Sequence, residues 1–142
     1  MTNVIVHTDG GARGNPGPAA LGVVIEIDGV KKNYGEVIGI TTNNIAEYKA
    51  VIFAFKKLRL LLGEAKLKNT PIKLCTDSEL IGRQLRGEYK IKEAELQKMF
   101  LEAWNLKIDI PHLDIELIPR EKNKEADFMV NQALDAEKQK LF

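Results

Sequence analysis

The hydrophobic pattern at the beginning of the chain is typical of β-structure and predicts three strands. Residues 3–8 and 20–28 are rich in valine, isoleucine and other residues typical of strands. Asp28-Gly29 is a tight-turn signal between residues 20–28 and a third strand at residues 30–39. Because the connections are short, these strands are expected to form an antiparallel meander.

The pattern then changes to helical spacing. Residues 45–62 carry apolar side chains on one helical face, and Gly63 stands where a C-terminal cap belongs. The remaining predicted elements are strands at 71–76 and 113–118 and helices at 78–86, 93–107 and 123–138. The order β-β-β-α-β-α-α-β-α requires parallel crossovers in its second half. The sequence therefore predicts an α/β fold, a mixed sheet with helices on its faces.

Size and composition narrow the class of protein. The 142 residues suit one domain, residues 1–142, and no apolar run approaches the roughly 18–20 residues of a membrane span. Cys75 is the only cysteine, which excludes an internal disulfide, suits a cytoplasmic protein and predicts a small buried side chain. No obligate protein partner is evident, and we expect a monomer. The net charge of +1 does not indicate nucleic acid, so that inference must come from a site.

Four carboxylates stand at strand ends or helix beginnings. Asp9 and Asp77 end the first and fourth strands, and Glu47 and Asp127 lie in the first turns of two helices. Each also has a purely structural interpretation. These are a turn for Asp9, a capping box of Asn44 with Glu47, an N-cap for Asp77, and a favourable helix dipole for Asp127 with Asn123 as its cap.

Taken together, the four positions indicate a cation site. Carboxylates that share a pocket raise one another's pKa unless a cation is present. Hard oxygen ligands suit Mg²⁺ or Mn²⁺, and zinc is disfavoured because His7 and His112, the two histidines, are far apart in the sequence. Two such ions can activate water and stabilise the leaving oxygen of a phosphodiester.

The same residues fall within motifs of a known family. Four segments resemble, in order and spacing, the signature motifs of type 1 ribonucleases H in the compact form that lacks a basic protrusion. These segments are residues 8–18, 41–47, 76–78 and 119–127, and the resemblance extends over roughly residues 3–137. It implies a five-stranded mixed sheet in the order 3-2-1-4-5 with helices on both faces.

The resemblance also implies an activity and its residues. Asp9, Glu47, Asp77 and Asp127 would hold two Mg²⁺ ions, for which Mn²⁺ can substitute. Water would cut the RNA strand of an RNA/DNA hybrid in line, leaving 5′-phosphate and 3′-hydroxyl ends. The substrate-binding residues that the family implies are Gly11, Asn15, Asn43 and Asn44 along the minor groove, Ser78 on the backbone and Arg120 on phosphate. Turn and capping duties remain alternatives for these residues, notably Asn44 and Ser78.

Three departures from the family pattern affect the expected activity. The loop before Asp127 lacks the histidine of many members, for which Arg120 or Glu121 is a candidate replacement. Glu79 stands where a substrate-binding glutamine is frequent. No basic helix follows the second helix, so the grip would come from scattered basic residues, and we expect weak, salt-sensitive binding. These residues are Arg83, Arg86, Lys90 and Lys92, for which a solvated face is the alternative.

Three other functions stay open at this point. A nuclease of the same fold could cut double-stranded RNA, and a non-catalytic module could bind hybrids without cutting them. A plain structural domain explains the caps but not four motifs in order. Trp104, on the apolar face of its helix, is expected to pack in the core, and the role of Leu141 and Phe142 is undecided.

Overall fold

The computed structural model describes residues 2–140, so Leu141 and Phe142 lie outside the described residues. Within this range the chain forms five strands, five α-helices and a 3₁₀ turn at Arg120–Lys122. The strands are β1 (Val4–Ala12), β2 (Gly17–Ile27), β3 (Val30–Thr41), β4 (Ile72–Thr76) and β5 (Leu113–Leu117). The helices are α1 (Asn43–Leu62), α2 (Glu64–Asn69), α3 (Glu79–Leu85), α4 (Ala94–Ile108) and α5 (Lys124–Lys140).

The strands form one mixed sheet in the order β3-β2-β1-β4-β5. β1, β2 and β3 pair antiparallel, whereas β4 runs parallel to both β1 and β5. The predicted turn between β2 and β3 is present, with positive φ at both Asp28 (49°) and Gly29 (84°), as a tight hairpin requires. The expected mixed α/β sheet and its strand order are therefore confirmed.

Helices cover both faces of the sheet, and two glycines of the sheet allow the helices to approach it closely. A Cβ built on Gly10 would meet the backbone of α1 at Ala46, whereas one built on Gly22 would meet the backbone of α5 at Ala126. Because Gly10 pairs with Leu21, the next residue Gly22 points to the opposite face. α1 therefore packs on one face, together with α4, and α5 packs on the other.

The main hydrophobic core lies between the sheet and α1. Alternate residues of β1, β2 and β4 meet the buried face of α1 there, among them Val6, Ile25, Leu74, Phe55 and Leu58. A smaller cluster of Ala20, Val130 and Leu134 lies under α5. Cys75 is buried as expected.

Two expectations about the helices were wrong. The short helix α2 follows α1 directly, because Gly63 ends α1 with φ 80° and the chain turns into a second helix that buries only Leu67. Trp104 is 36% exposed on α4, where it stacks on Phe100 with 5.5 Å between the ring centroids. Among the helices of residues 2–140, none has the length and apolar character that a bilayer crossing needs.

Candidate active site

Asp9 and Asp77 lie side by side because the parallel ladder of β1 with β4 ends just before them, although β1 itself continues past Asp9 to Ala12 and Asp9 does not end its strand as expected. Thr8 pairs with Thr76 at the last position of the β1–β4 ladder, and each aspartate follows directly. Ser78, not Asp77, caps α3, since its Oγ accepts from the Ile81 N–H at 3.2 Å. The capping interpretation of Asp77 is therefore wrong, that of Ser78 is confirmed, and the Asp77 carboxylate is left for another role.

Glu47 reaches the same place from α1. Thr42 is the N-cap of this helix, with its Oγ1 accepting from the Ile45 N–H at 3.3 Å. The predicted capping box of Asn44 with Glu47 is therefore wrong, and Glu47 lies in the second turn instead of the first. Gly10 allows the approach, because a Cβ there would lie 2.3 Å from the Ala46 carbonyl carbon.

The result is a compact group of three carboxylates. Asp9, Glu47 and Asp77 each offer an oxygen within 4.8 Å of the others. Asp9 is only 8% exposed, and Glu47 and Asp77 are half-buried. Oxygen donors this close, and partly removed from water, match the ligands that Mg²⁺ and Mn²⁺ prefer.

Asp127 borders this group without being one of the three. It lies in the first turn of α5, as predicted, and its side chain is exposed. Its carboxylate is close enough to hydrogen-bond to Asp9 and to raise the pKa of Asp9. Asp127 therefore stands at the open side of the site.

The electrostatics of the group show how strongly its charges compete. Burial, together with the neighbouring charges of Asp77 and Asp127, raises the pKa of Asp9 to about 7. Burial also raises the pKa of Glu47 well above its usual value, with Asp9 and Asp77 as further causes and Arg120 acting in the opposite direction. A divalent cation would relieve this repulsion, so the residues present fit such an ion.

The asparagines implied in substrate binding lie in the β1–β2 loop and at the start of α1. Asn43 Oδ1 accepts from the Ala12 N–H at 2.8 Å, and the Asn43 N–H donates to Asn15 Oδ1 at 3.0 Å. These bonds fasten the β1–β2 loop to the start of α1. They hold both side-chain oxygens, so the exposed amide NH₂ groups remain as donors to a ligand. Asn44 is half-buried in the first turn of α1.

The remaining predicted residues are Gly11, Arg120 and Glu121. Gly11 is half-buried on β1, where an added Cβ would meet Val130 Cγ1 at an ordinary 3.6 Å. Arg120 is exposed, and its positive charge is close enough to lower the pKa of Glu47. Glu121 instead lines a separate cavity of about 410 Å³ that contains His7 and Lys31. Of the two candidate replacements for the loop histidine, Arg120 is therefore the one whose charge acts on the group.

His112 lies at the far end of the sheet. Its carbonyl accepts from the Ile72 N–H at the beginning of β4, whereas the carboxylates gather where β4 ends. It is out of reach of the site, as the sequence indicated. Between β5 and α5 the chain has only a short segment, residues 118–123, with its 3₁₀ turn.

Two of the four expected basic contacts have other duties. Arg83 is paired with both Glu79 and Glu88, at 3.0 and 2.9 Å. Arg86 donates its guanidinium to the carbonyl of Ile115 on β5. Lys90 and Lys92 are exposed in the segment between α3 and α4, which contains no helix.

Two buried polar contacts beside the site were missed by sequence reasoning. Asn123 Nδ2 donates to the carbonyl of Thr8 at 2.9 Å, and the Tyr48 hydroxyl donates to Gln84 Oε1 at 2.5 Å. Asn123 was expected to cap α5, yet its side-chain oxygen has no hydrogen-bond partner. The sequence contained one sign of the Tyr48 contact, because Tyr48 is a polar residue that directly follows Glu47.

Comparisons with known proteins agree with the fold. Residues 7–133 match the family described as reverse transcriptase-like. The chain is 37% identical to the ribonuclease HI of Halobacterium salinarum, over 93% of this chain and 64% of that protein. It is 35% identical to the bifunctional protein Rv2228c of Mycobacterium tuberculosis, of which it spans only 36%.

Solved structures of similar length are closer still. The chain superposes on LC11-RNase H1, isolated from compost, with a TM-score of 0.90 and 45% identity, over 96% of this chain and 99% of that one. LC11-RNase H1 has also been solved in complex with RNA/DNA hybrid, and that structure matches with a TM-score of 0.89 over 95% of this chain and 99% of that one. The similarity therefore covers nearly the whole length of both proteins.

Proposed function

Since the chain belongs to the type 1 ribonuclease H family in its compact form, we propose that it hydrolyses the RNA strand of RNA/DNA hybrids. In this proposal Asp9, Glu47, Asp77 and Asp127 hold two divalent cations, Mg²⁺ or Mn²⁺. The products carry 5′-phosphate and 3′-hydroxyl ends. The crystallised complex of LC11-RNase H1 with RNA/DNA hybrid supports this substrate class.

One observation carries the proposal. Asp9, Glu47 and Asp77 offer oxygens within 4.8 Å of one another, and burial raises the pKa of Asp9 and of Glu47. The repulsion costs stability unless a cation compensates it, so a structural domain gains nothing from this arrangement. A metal-dependent hydrolase does, because the same oxygens hold its ions.

The residues divide the work by their position. Asp9 and Asp77, directly after the last pair of the parallel β1–β4 ladder, form the base of the site, and Glu47 closes it from α1. Asp127, exposed on α5, is left to hold an ion on the open side. When bound, two divalent ions would stabilise the charge on the attacking and leaving oxygens. Arg120, an exposed cation whose charge acts on Glu47, would bind a phosphate oxygen of the scissile strand.

The exposed amides of Asn15 and Asn43 provide the preference for RNA. The Asn15 side-chain oxygen accepts from the Asn43 N–H, and the Asn43 side-chain oxygen accepts from the Ala12 N–H. The outward NH₂ groups can then donate to 2′-hydroxyls or base edges in the minor groove of a hybrid. A DNA strand lacks the 2′-hydroxyl, so the same donors make fewer hydrogen bonds to it.

The test uses end-labelled duplexes of about 12–20 base pairs, which cover the span of a nucleic-acid groove. Hybrid, double-stranded RNA and single-stranded RNA are incubated with the protein in Mg²⁺, Mn²⁺ or EDTA. Asp77→Asn is the active-site variant. Asp114→Asn is its matched control, because Asp114 is an exposed aspartate of β5 outside the group.

We expect cleavage of the RNA strand of the hybrid alone, with loss of activity in EDTA and in Asp77→Asn but not in Asp114→Asn. Equal cutting of double-stranded RNA would keep the nuclease and broaden its substrate. If folded protein binds the hybrid but does not cut it in either metal, the proposed enzymatic activity is refuted and the chain is a hybrid-binding module.

A further inference from the structure

Asn123 connects the two sides of the carboxylate group. Its side-chain Nδ2 donates to the carbonyl of Thr8 at 2.9 Å, and Thr8 directly precedes Asp9. Its own carbonyl accepts the N–H of Asp127 at 3.2 Å. One buried residue, 1% exposed, therefore bonds both to the strand that carries Asp9 and to the residue that completes the group from α5.

The first turn of α5 needs such a contact. Asp127 lies against the like charge of Asp9, and their repulsion favours moving α5 away from β1. The apolar cluster under α5 is small, and its helix members, Val130 and Leu134, lie beyond Asp127 in the helix. The close approach of Ala126 to Gly22 sets the height of α5 above β2. Among the side-chain hydrogen bonds of the described residues, the one from Asn123 to the Thr8 carbonyl joins the start of α5 to β1.

This contact contains buried polar atoms without hydrogen-bond partners, which is unusual for a residue that only stabilises the fold. Among the described residues, the two buried side-chain atoms without a hydrogen-bond partner are Asn123 Oδ1 and Thr8 Oγ1. An unsatisfied buried polar atom costs about 1–3 kcal/mol. Both such atoms belong to the pair that joins α5 to β1, and costs of this kind concentrate where function requires them.

We propose that Asn123 is a positioning residue that holds Asp127 against Asp9, and that the outer half of the cation site depends on it. Asn123 touches neither ion nor substrate in this arrangement, and it acts through Asp127. The inference rests on the proposed function for its cleavage readout, whereas its metal-binding readout does not require cleavage.

A double-mutant cycle separates positioning from simple stabilisation. Asn123→Ala, Asp127→Asn and the double variant are compared with the unmodified chain, at a temperature where all are folded. Mn²⁺ affinity is measured by titration calorimetry, and cleavage of the hybrid is measured as kcat and KM. The matched control is Thr70→Val, because Thr70 is 5% exposed and its Oγ1 donates to the Lys66 carbonyl at 2.6 Å, at the end of α2.

If Asn123 acts through Asp127, the two substitutions are non-additive. We expect each single variant to weaken Mn²⁺ binding and lower kcat about tenfold, with KM nearly unchanged, and the double variant to be within about twofold of the weaker single one. Thr70→Val should lose a similar amount of stability and keep both properties.

Additive losses, about a hundredfold in the double variant, would overturn the proposal, as would Asn123→Ala behaving like Thr70→Val. If Asn123→Ala does not fold, Asn123→Leu takes its place in the cycle, because leucine keeps the volume and removes both polar atoms. Mn²⁺ binding without cleavage by the unmodified chain would refute the proposed activity, and the binding cycle would still decide the role of Asn123.

Discussion

Gly10 of β1 lies directly against the backbone of Ala46 on α1, where an added Cβ would be 2.3 Å from the Ala46 carbonyl carbon and 2.5 Å from the Glu47 nitrogen. No heavy atom fits at that distance, so a side chain at residue 10 must displace the helix. Because α1 carries Glu47, this contact sets how closely Glu47 approaches Asp9 and Asp77.

Gly10→Ala should therefore damage both stability and the cation site. Backbone displacement of this kind costs about 1–3 kcal/mol or more, and we expect Mn²⁺ affinity to fall at least about tenfold as Glu47 withdraws. Thermal unfolding and titration calorimetry measure the two effects. Gly11→Ala is the matched control, since its Cβ would meet only Val130 Cγ1 at 3.6 Å. Equal effects of the two substitutions would contradict this interpretation.

The elements that the sequence predicted best are those in which a single pattern decides the structure. Strand-type residues in β1 and β2 and helical spacing in α1 predicted these elements to within a few residues, because each pattern extends over much of an element of nine residues or more. The short helix α2 was missed because its six residues bury only Leu67, which is too weak a periodic signal.

The candidate site was predictable as far as its chemistry lies in the side chains themselves. Four acids at element ends suggested a cation site, and the structure brings three of them within 4.8 Å. Caps were misassigned because Thr42 and Asn44, or Asp77 and Ser78, are equally good capping residues in a sequence. The role of Asn123 was invisible, because its partner Thr8 is 115 residues away.

Removal of the Asp9 charge should stabilise the metal-free protein at alkaline pH. Its pKa is about 7 in the folded chain against an ordinary value of 3.8. Between these values the folded state retains a proton that the unfolded state releases. The contribution of Asp9 to the free energy of unfolding therefore falls as pH rises through this window and stays low above it.

In EDTA near pH 8, Asp9→Asn should melt at least about 3 °C above the unmodified chain, the shift that about 1 kcal/mol produces in a domain of this size. Near pH 5 the difference should largely disappear, because Asp9 is then protonated. Saturating Mn²⁺ should raise the melting temperature of the unmodified chain and not that of the variant. A variant that melts lower at every pH would refute the assignment of repulsion to Asp9.

The Tyr48 hydroxyl donates to Gln84 Oε1 inside the core, joining α1 to α3. Tyr48→Phe leaves the amide of Gln84, 3% exposed, without this donor, and should destabilise the protein by about 1–3 kcal/mol. Tyr48→Phe combined with Gln84→Leu should recover part of that loss, because both polar partners are then gone. Denaturant unfolding measures both. A double variant less stable than either single one would show that the pair contributes more than hydrogen-bond satisfaction.

The basic residues near α3 should separate into structural and substrate-binding groups. Arg86 donates its guanidinium to the Ile115 carbonyl, so Arg86→Ala should lower the melting temperature and change hybrid affinity little. Lys90 and Lys92 are exposed beyond α3, and replacing either by alanine should leave stability unchanged. If that lysine neutralises a phosphate, the slope of log affinity against log salt should fall by about 1.

Fluorescence anisotropy with labelled hybrid in EDTA, at several salt concentrations, measures the slope without cleavage. An unchanged slope for both lysines would place the basic grip elsewhere, and a changed slope for Arg86→Ala would mean that its bond to β5 is exchanged for phosphate on binding.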